Sequence, residues 1–272
     1  MAVSAWLVLA VATLPGAGPG ESLAERFPPP DGHRRTPIAA RSFGSFLREL
    51  KLRPGRPAVH LFNGRPKLRD VHAAVLDIDV GARDLQQCAD FAIRLHAEWR
   101  RRNDGLPCYR FTSGDAAPWS AWREGWRPQV RGRHVTWRQT GRAETSSASF
   151  RRWLDVVFTY AGSASLARDT RLAAGPVAPG DLYVQAGFPG HVVVVLDVVR
   201  DETGKRQMLL GQSYMPAQEP HVLRRSDGRG AWFSVPPDAE PLLTPEWRFP
   251  PHARRRFTPR PCAGAPPLRK ES

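Results

Sequence analysis

The run Val192-Val193-Val194-Val195-Leu196, opened by Gly190-His191, places the tightest limit on what this chain can become. Consecutive apolar residues, mostly β-branched, leave no solvent-facing alternation, so they predict a strand buried in the centre of a sheet. Pro179-Gly180 turns the chain into a preceding strand, Asp181 to Gln185. His191 to Val199 follows, and a turn at Asp201 to Lys205 leads into a third strand, Gln207 to Ser213. A polar ring at the edge of such a strand wants a partner. This register sets His191 opposite Gln212-Ser213-Tyr214, where Gln212 can hold one ring nitrogen. Ser213 and His221 compete with it for that role.

The most legible helix begins nearby in function and far away in sequence. Asp84-Leu85-Gln86-Gln87 reads as an N-cap Asp with Gln three residues later, predicting a helix from Leu85 to about Arg101. Leu85, Cys88, Ala89, Ala92, Leu95 and Trp99 share one stripe, so Cys88 faces inward near the positive end of the helix. A thiol ionises more readily at a helix N-terminus and beside an imidazolium. Cys88 has the first by position, and His191 is the candidate for the second. Gln86 or Gln87, with the Cys88 backbone N–H, would stabilise an oxyanion beside the sulfur; Gln87 is the preferred candidate. The competing reading of Cys88 is a small buried hydrophobe.

Chain length and ordinary apolar content allow one sizeable core. Ala5 to Leu14 is a short apolar run before Pro15-Gly16-Ala17-Gly18, so residues 1–20 are expected to be a signal peptide for export, although Met1 to Ser4 lacks a basic residue. Residues 21–41, rich in Pro, Gly and Arg, read as an extended linker, 42–250 as a single α+β domain, and 251–272 as a disordered basic tail. Within the domain, helical spacing starts at Phe43, strands are expected at Val59 to Phe62 and Ala73 to Val80, and a second amphipathic helix carries Phe150, Trp153, Leu154, Val157 and Phe158 before Gly162.

The net charge of +14 favours an anionic partner, here an envelope component. It is scattered and almost wholly arginine, lysine occurring only at 51, 67, 205 and 270. No nucleic-acid motif accompanies it, so nucleic acid is not an expected partner. Three cysteines, Cys88, Cys108 and Cys262, leave at least one thiol outside any internal bridge, and a Cys88 to Cys108 bridge is the alternative to a reactive Cys88. Asp77 and Asp79 share a strand face without a third ligand, so no metal or other cofactor is expected. Trp119, Trp122 and Trp126 lie in an irregular aromatic insertion and either stack on sugar rings in a cleft or pack onto the core.

Cysteine on a helix, histidine on a strand and a polar residue on the next strand resemble the papain-like clan. Gly180-Asp181-Leu182-Tyr183-Val184 with Gly190-His191-Val192-Val193-Val194 is similar to the bacterial NlpC-type and amidase-type cell-wall hydrolases, whose third residue is polar; Gln212 matches it by position. Gln87-Cys88-Ala89-Asp90 departs from the usual Asp-Cys-Ser-Gly of the NlpC type. Four blocks, Leu76 to Gly81, Asp84 to Asp90, Phe111 to Asp115 and Gln212 to Gln218, closely resemble the bacterial family domain of unknown function 4846. The resemblance implies a papain-like α+β fold in which a Cys-bearing helix packs on a small antiparallel sheet carrying the His. It also implies a thiol amidase or peptidase acting on cell-wall peptide, with Cys88, His191, Gln212 and Gln87 as catalytic candidates. Asp90, Thr112, Ser113, Asp115, Trp119 and Trp122 are the candidate cleft residues. The alternative is a catalytically silent envelope-binding module of the same fold.

Overall fold

A computed structural model describes residues 20–258 and Cys262. The expected signal segment therefore lies, but for its last residue, outside the described residues. Along the chain, α1 (Leu23–Arg26), β1 (Arg34–Arg35), α2 (Phe43–Arg48) and β2 (His72–Val75) precede the long helix α3 (Cys88–Arg102). Two small hairpins follow, β3 (Cys108–Arg110) with β4 (Ala116–Pro118), and β5 (Trp126–Arg131) with β6 (His134–Gln139), separated by α4 (Trp119–Arg123). Next come α5 (Ser147–Tyr160), α6 (Ser163–Asp169) and β7 (Thr170–Leu172). The remaining strands are β8 (Leu182–Gln185), β9 (His191–Arg200), β10 (Arg206–Gln212), β11 (His221–Leu223), β12 (Trp232–Ser234), β13 (Leu242–Leu243), β14 (Arg248–Phe249) and β15 (Arg254–Phe257).

The fold is mixed α and β around one large antiparallel sheet, not the small sheet expected. Its nine strands run in the order β2-β11-β10-β9-β8-β15-β7, with β1 added to β9 and β12 to β10. The reason for the apolar run is now visible. Val192, Val194 and Leu196 face the layer that holds α2, α3 and α5, while Val193, Val195 and Val198 face a second apolar layer with Met208, Leu210 and Phe249. Opposite Leu196 the register with β10 slips by one residue, so Val199 returns to the helix side. Neither face of β9 meets water.

Segments expected to lie outside the domain complete it. Residues 21–41 are not a free linker: Leu23 is fully buried, and β1 pairs Arg34 with Arg200 and Arg35 with Val199. Fully buried Asp197, on β9, explains this. Its carboxylate accepts from Arg35 Nε and Arg48 Nε, each at 2.7 Å, and Arg35 also donates to the carbonyls of Ala24 and Phe27. The 251–272 segment is likewise not wholly tail, because β15 pairs with both β8 and β7. Fully buried Asp181 draws it in through Arg254 and Arg256. Arginines that composition presents as solvent-facing are the fixings of the two chain ends.

The cysteines pair as Cys108–Cys262, so the Cys88–Cys108 alternative is excluded and Cys88 is a free, buried thiol. Ala73 to Val80 yields only the short β2, and Val59 to Phe62 makes isolated bridges at His60 and Leu61. Among the described residues no helix is long and apolar enough to cross a membrane.

Removing one partner of a buried ion pair leaves an uncompensated charge, at a cost of about 3 kcal/mol. Asp197→Ala should lower stability by that order, read as a lower urea midpoint with an unchanged slope.

Candidate functional site

Helix α3 begins at Cys88 rather than Leu85, and the capping differs from the sequence expectation. Gln87 is the N-cap residue, and its backbone N–H donates to Asp90 Oδ2 at 3.0 Å. Asp84 instead fixes the approach to the helix: its Oδ1 accepts from Gln87 Nε2 at 2.9 Å and from the Ala217 N–H at 2.6 Å. The shift brings Cys88 from the fourth helical position to the first, where the backbone N–H groups have no intrahelical acceptor.

Cys88 and His191 line one cleft of about 560 Å³. Its walls come from the turn and first residues of α3, the α5–α6 junction at Ala161 to Ser163, the loop Gly187 to Gly190, and Tyr214, Met215 and Trp247. The thiol sits against the start of β9, within hydrogen-bonding reach of the Val192 N–H and of the first amides of α3. These donors favour a thiolate, but burial outweighs them and, with the Asp90 carboxylate nearby, pushes Cys88 up to about 12. Burial likewise pulls His191 down to about 4, against the opposing hydrogen bond to Gln212. At neutral pH the pair is a thiol and a neutral imidazole.

The tautomer of that imidazole is determined by a chain of obligatory donors and acceptors. His221 Nδ1–H donates to the Glu219 carbonyl at 2.9 Å, which leaves His221 Nε2 as an acceptor. Gln212 Nε2 supplies it at 3.3 Å and donates its other proton to Glu246 Oε2 at 2.7 Å. The Gln212 Oε1 must therefore face His191, and His191 Nε2–H donates to it at 3.0 Å. Nδ1 of His191 carries the lone pair. Lys67 Nζ closes the network at 2.7 Å from Glu246 Oε1. Tyr214 and Trp247, with ring centroids 4.7 and 5.1 Å from the imidazole, hold the ring from its sides.

The sequence-derived candidates divide accordingly. Cys88, His191, Gln87 and Asp90 line the cleft, and Gln212 stands behind His191. Ser213, one of the two competitors for the orienting position, is occupied elsewhere, its single hydroxyl proton shared between the carbonyls of Gln86 and Gln218. Gln86 is fully buried with its Oε1 taken by Arg94, and it does not line the cleft. Trp119 and Trp122 are core residues rather than cleft residues: Trp119 packs on Phe150 and Trp153, and Trp122 Nε1 donates to Ser149. Thr112 and Ser113 line a separate hollow with Tyr160 and Arg168, and Asp115 holds the turn by accepting from Ser113 Oγ at 2.7 Å. None of the three reaches the Cys88 cleft.

Glu246, Lys67 and Trp247 were not found from the sequence, and register alone places Tyr214 opposite His191, without a role. Glu246 lies 34 residues beyond Gln212 in an irregular stretch, and no spacing relates them; the only signal was the aromatic cluster Trp247-Arg248-Phe249.

Gln212→Ala would leave the buried ring nitrogens of His191 and His221 without a partner, at a cost of about 1–3 kcal/mol. Nitrogen chemical shifts of His191 should report a single Nε2-protonated tautomer in the native protein and a mixture of both in Gln212→Ala.

No curated protein and no solved structure matches the chain. Its sequence matches a family model described as domain of unknown function 4846 over residues 23–256, a span running from the buried start of α1 to β15. That span contains every residue of the His191–Gln212 network and of the cleft, and the chain belongs to the family domain of unknown function 4846.

Proposed function

We propose that the chain is an exported thiol hydrolase of papain-like design that cuts amide or peptide bonds, with cell-wall peptide as the substrate class. The single observation that carries this reading is the fixed tautomer of His191: with Nε2–H committed to Gln212, Nδ1 is the nitrogen left to take a proton in the cleft that Cys88 lines. A helix-start thiol, a strand-start imidazole and a polar side chain behind the ring reproduce the roles of a nucleophile, its base and an orienter.

In this mechanism His191 Nδ1 removes the Cys88 proton as Sγ bonds to the carbonyl carbon. The developing oxyanion meets the unpaired amides at the start of α3, with Gln87 beside it. The imidazolium returns the proton to the leaving nitrogen as the C–N bond breaks, leaving a thioester. Water, deprotonated by the same Nδ1, displaces the thiol and releases the acid. Because both resting groups are neutral, the thiolate forms during attack instead of persisting as an ion pair with the imidazolium.

Two further observations bear on the reading, one on each side. A Cys108–Cys262 bridge suits an oxidising compartment, which favours export. The raised thiol pKa favours the second reading, a silent envelope-binding module with the same cleft, because a buried thiol is ordinarily inert.

Digestion of purified cell wall separates the two. The hydrolase should release peptide fragments, Cys88→Ala and His191→Ala should each cut the rate by several orders of magnitude, and both should keep the native fold. The rate should climb through an acid limb near pH 4, where His191 loses its proton, and stay level through neutrality. Release by Cys88→Ala at the native rate, or none by the native protein, would sink the enzyme reading.

A further inference from the structure

Positive charge that composition scatters along the chain is gathered by the fold at one place. From Gly125 to Ala143, the stretch that holds the β5–β6 hairpin, there are five arginines and one histidine and no Asp or Glu. The strand register divides the hairpin by face. Trp126, Pro128 and Val130 share one side with Gln139, Trp137 and Val135, and the two buried tryptophans pack that side onto the helix layer. The other side consists of the cross-strand pairs Arg127–Arg138, Gln129–Thr136 and Arg131–His134. Arg127 is already engaged: its guanidinium lies over the Trp122 ring, 4.0 Å from the centroid, and donates to the carbonyls of Trp122 and Trp126. Arg131, Arg133, His134 and Arg142 are exposed, and among the described residues none of their side chains has a hydrogen bond or ion pair. They differ in this from Arg35, Arg48, Arg254 and Arg256, which are spent on buried carboxylates. Acids return only where the ribbon ends, at Glu124 and at Glu144, the latter paired with Arg152.

At the hairpin tip Arg133 shares a hollow of about 480 Å³ with Arg168, Thr112, Ser113 and Tyr160, and no Asp or Glu lines it. Arg168 is held by one bond from Nη1 to the Thr112 carbonyl, at 2.9 Å, with its remaining N–H groups uncommitted. The Phe111 to Asp115 block, which does not reach the Cys88 cleft, thus has a place: its turn, closed by Ser113 Oγ on Asp115, seats Arg168. Tyr160 borders this hollow while Phe158, Thr159 and Ala161 border the cleft, so the two lie on either side of the end of α5.

We propose that the outer face and tip of this hairpin dock a linear, base-free phosphodiester polymer of the cell envelope. Guanidinium forks bind phosphate oxygens in pairs, and an array of them without intervening acids is complementary to a chain that repeats its charge. Other polyanionic partners fit the face less well. Both tryptophans are turned inward, which leaves no exposed ring on which a nucleobase could stack. Its outer pairs include no apolar side chain that could sink into a bilayer. The proposal shares only the exported location with the thiol-hydrolase reading and needs no catalysis. Docking at the hairpin moors the protein and holds the Cys88 cleft beside the polymer.

The test is the fluorescence anisotropy of labelled poly(glycerol phosphate) titrated with the full chain over a range of salt concentrations. Affinity should fall log-linearly with salt, because each phosphate bound releases counterions. The triple variant Arg131→Gln, Arg133→Gln, Arg142→Gln should bind about tenfold or more weakly, and its slope of log affinity against log salt should be shallower by about two, at about 0.7 for each contact to a single strand. A second triple variant, Arg34→Gln, Arg65→Gln, Arg229→Gln, removes the same charge from exposed positions off the hairpin and should bind as the native chain does. Cys88→Ala should also bind as the native chain does. All six substituted arginines are exposed, so both triple variants keep the fold, which circular dichroism checks. Equal loss in the two triple variants, binding that ignores salt, or no binding by the native chain at low salt would overturn the proposal. So would a preference of about tenfold or more for oligothymidylate or for phosphatidylglycerol vesicles over the polymer, which would give the face to nucleic acid or to a membrane.

Discussion

Strand β9 has no face that water reaches, and most of the architecture follows from the need to cover it twice. Helices α2, α3 and α5 close one side, and the layer containing Phe249, Met208 and Tyr183 closes the other. A polar residue in such a strand must bring its own partners. Asp197 therefore recruits Arg35 and Arg48 and with them the N-terminal segment, while at the strand's first residue His191 recruits Gln212. The same constraint that stabilises the sheet thus fixes the imidazole, because a buried ring nitrogen without a partner would cost more than the strand end can supply.

Gln212 shows how a neutral residue can do what a carboxylate usually does behind a histidine. Its amide has one acceptor and two donors, and each finds a match: His191, His221 and Glu246. Burial lowers the imidazole pKa, and the neutral hydrogen bond to Gln212 opposes that less than an adjacent carboxylate would, so the ring stays easy to deprotonate. Negative charge is held one residue back, at Glu246, where Lys67 compensates it. The result orients the ring without charging it.

The start of α3 illustrates a local competition that sequence pattern alone resolves the wrong way. Asp84 and Asp90 both carry the chemistry of a helix cap, and both stand near Gln87. Asp90 caps because Asp84 is claimed by the amide of Ala217, a residue 133 positions away. Tertiary contact overrides the local signature, moves the helix start by three residues and sets Cys88 among unpaired backbone donors.

Local signals carried a good part of the fold. The β8–β9–β10 meander, the existence of α3, α5 ending before Gly162, and the placing of Cys88 and His191 at element starts were all legible, because apolar periodicity and turn residues act over a few neighbours. What the sequence by itself determined was therefore a buried central strand with a histidine at its head and a thiol at a helix entrance. Tertiary structure alone decided that Trp119 and Trp122 belong to the core, that Cys108 pairs with Cys262 across 154 residues, that arginine-rich ends are bound by Asp197 and Asp181, and that Glu246 stands behind Gln212. Each of those depends on which buried polar group meets which partner across long sequence separation. Composition and spacing record that such groups exist, but only the packed chain pairs them.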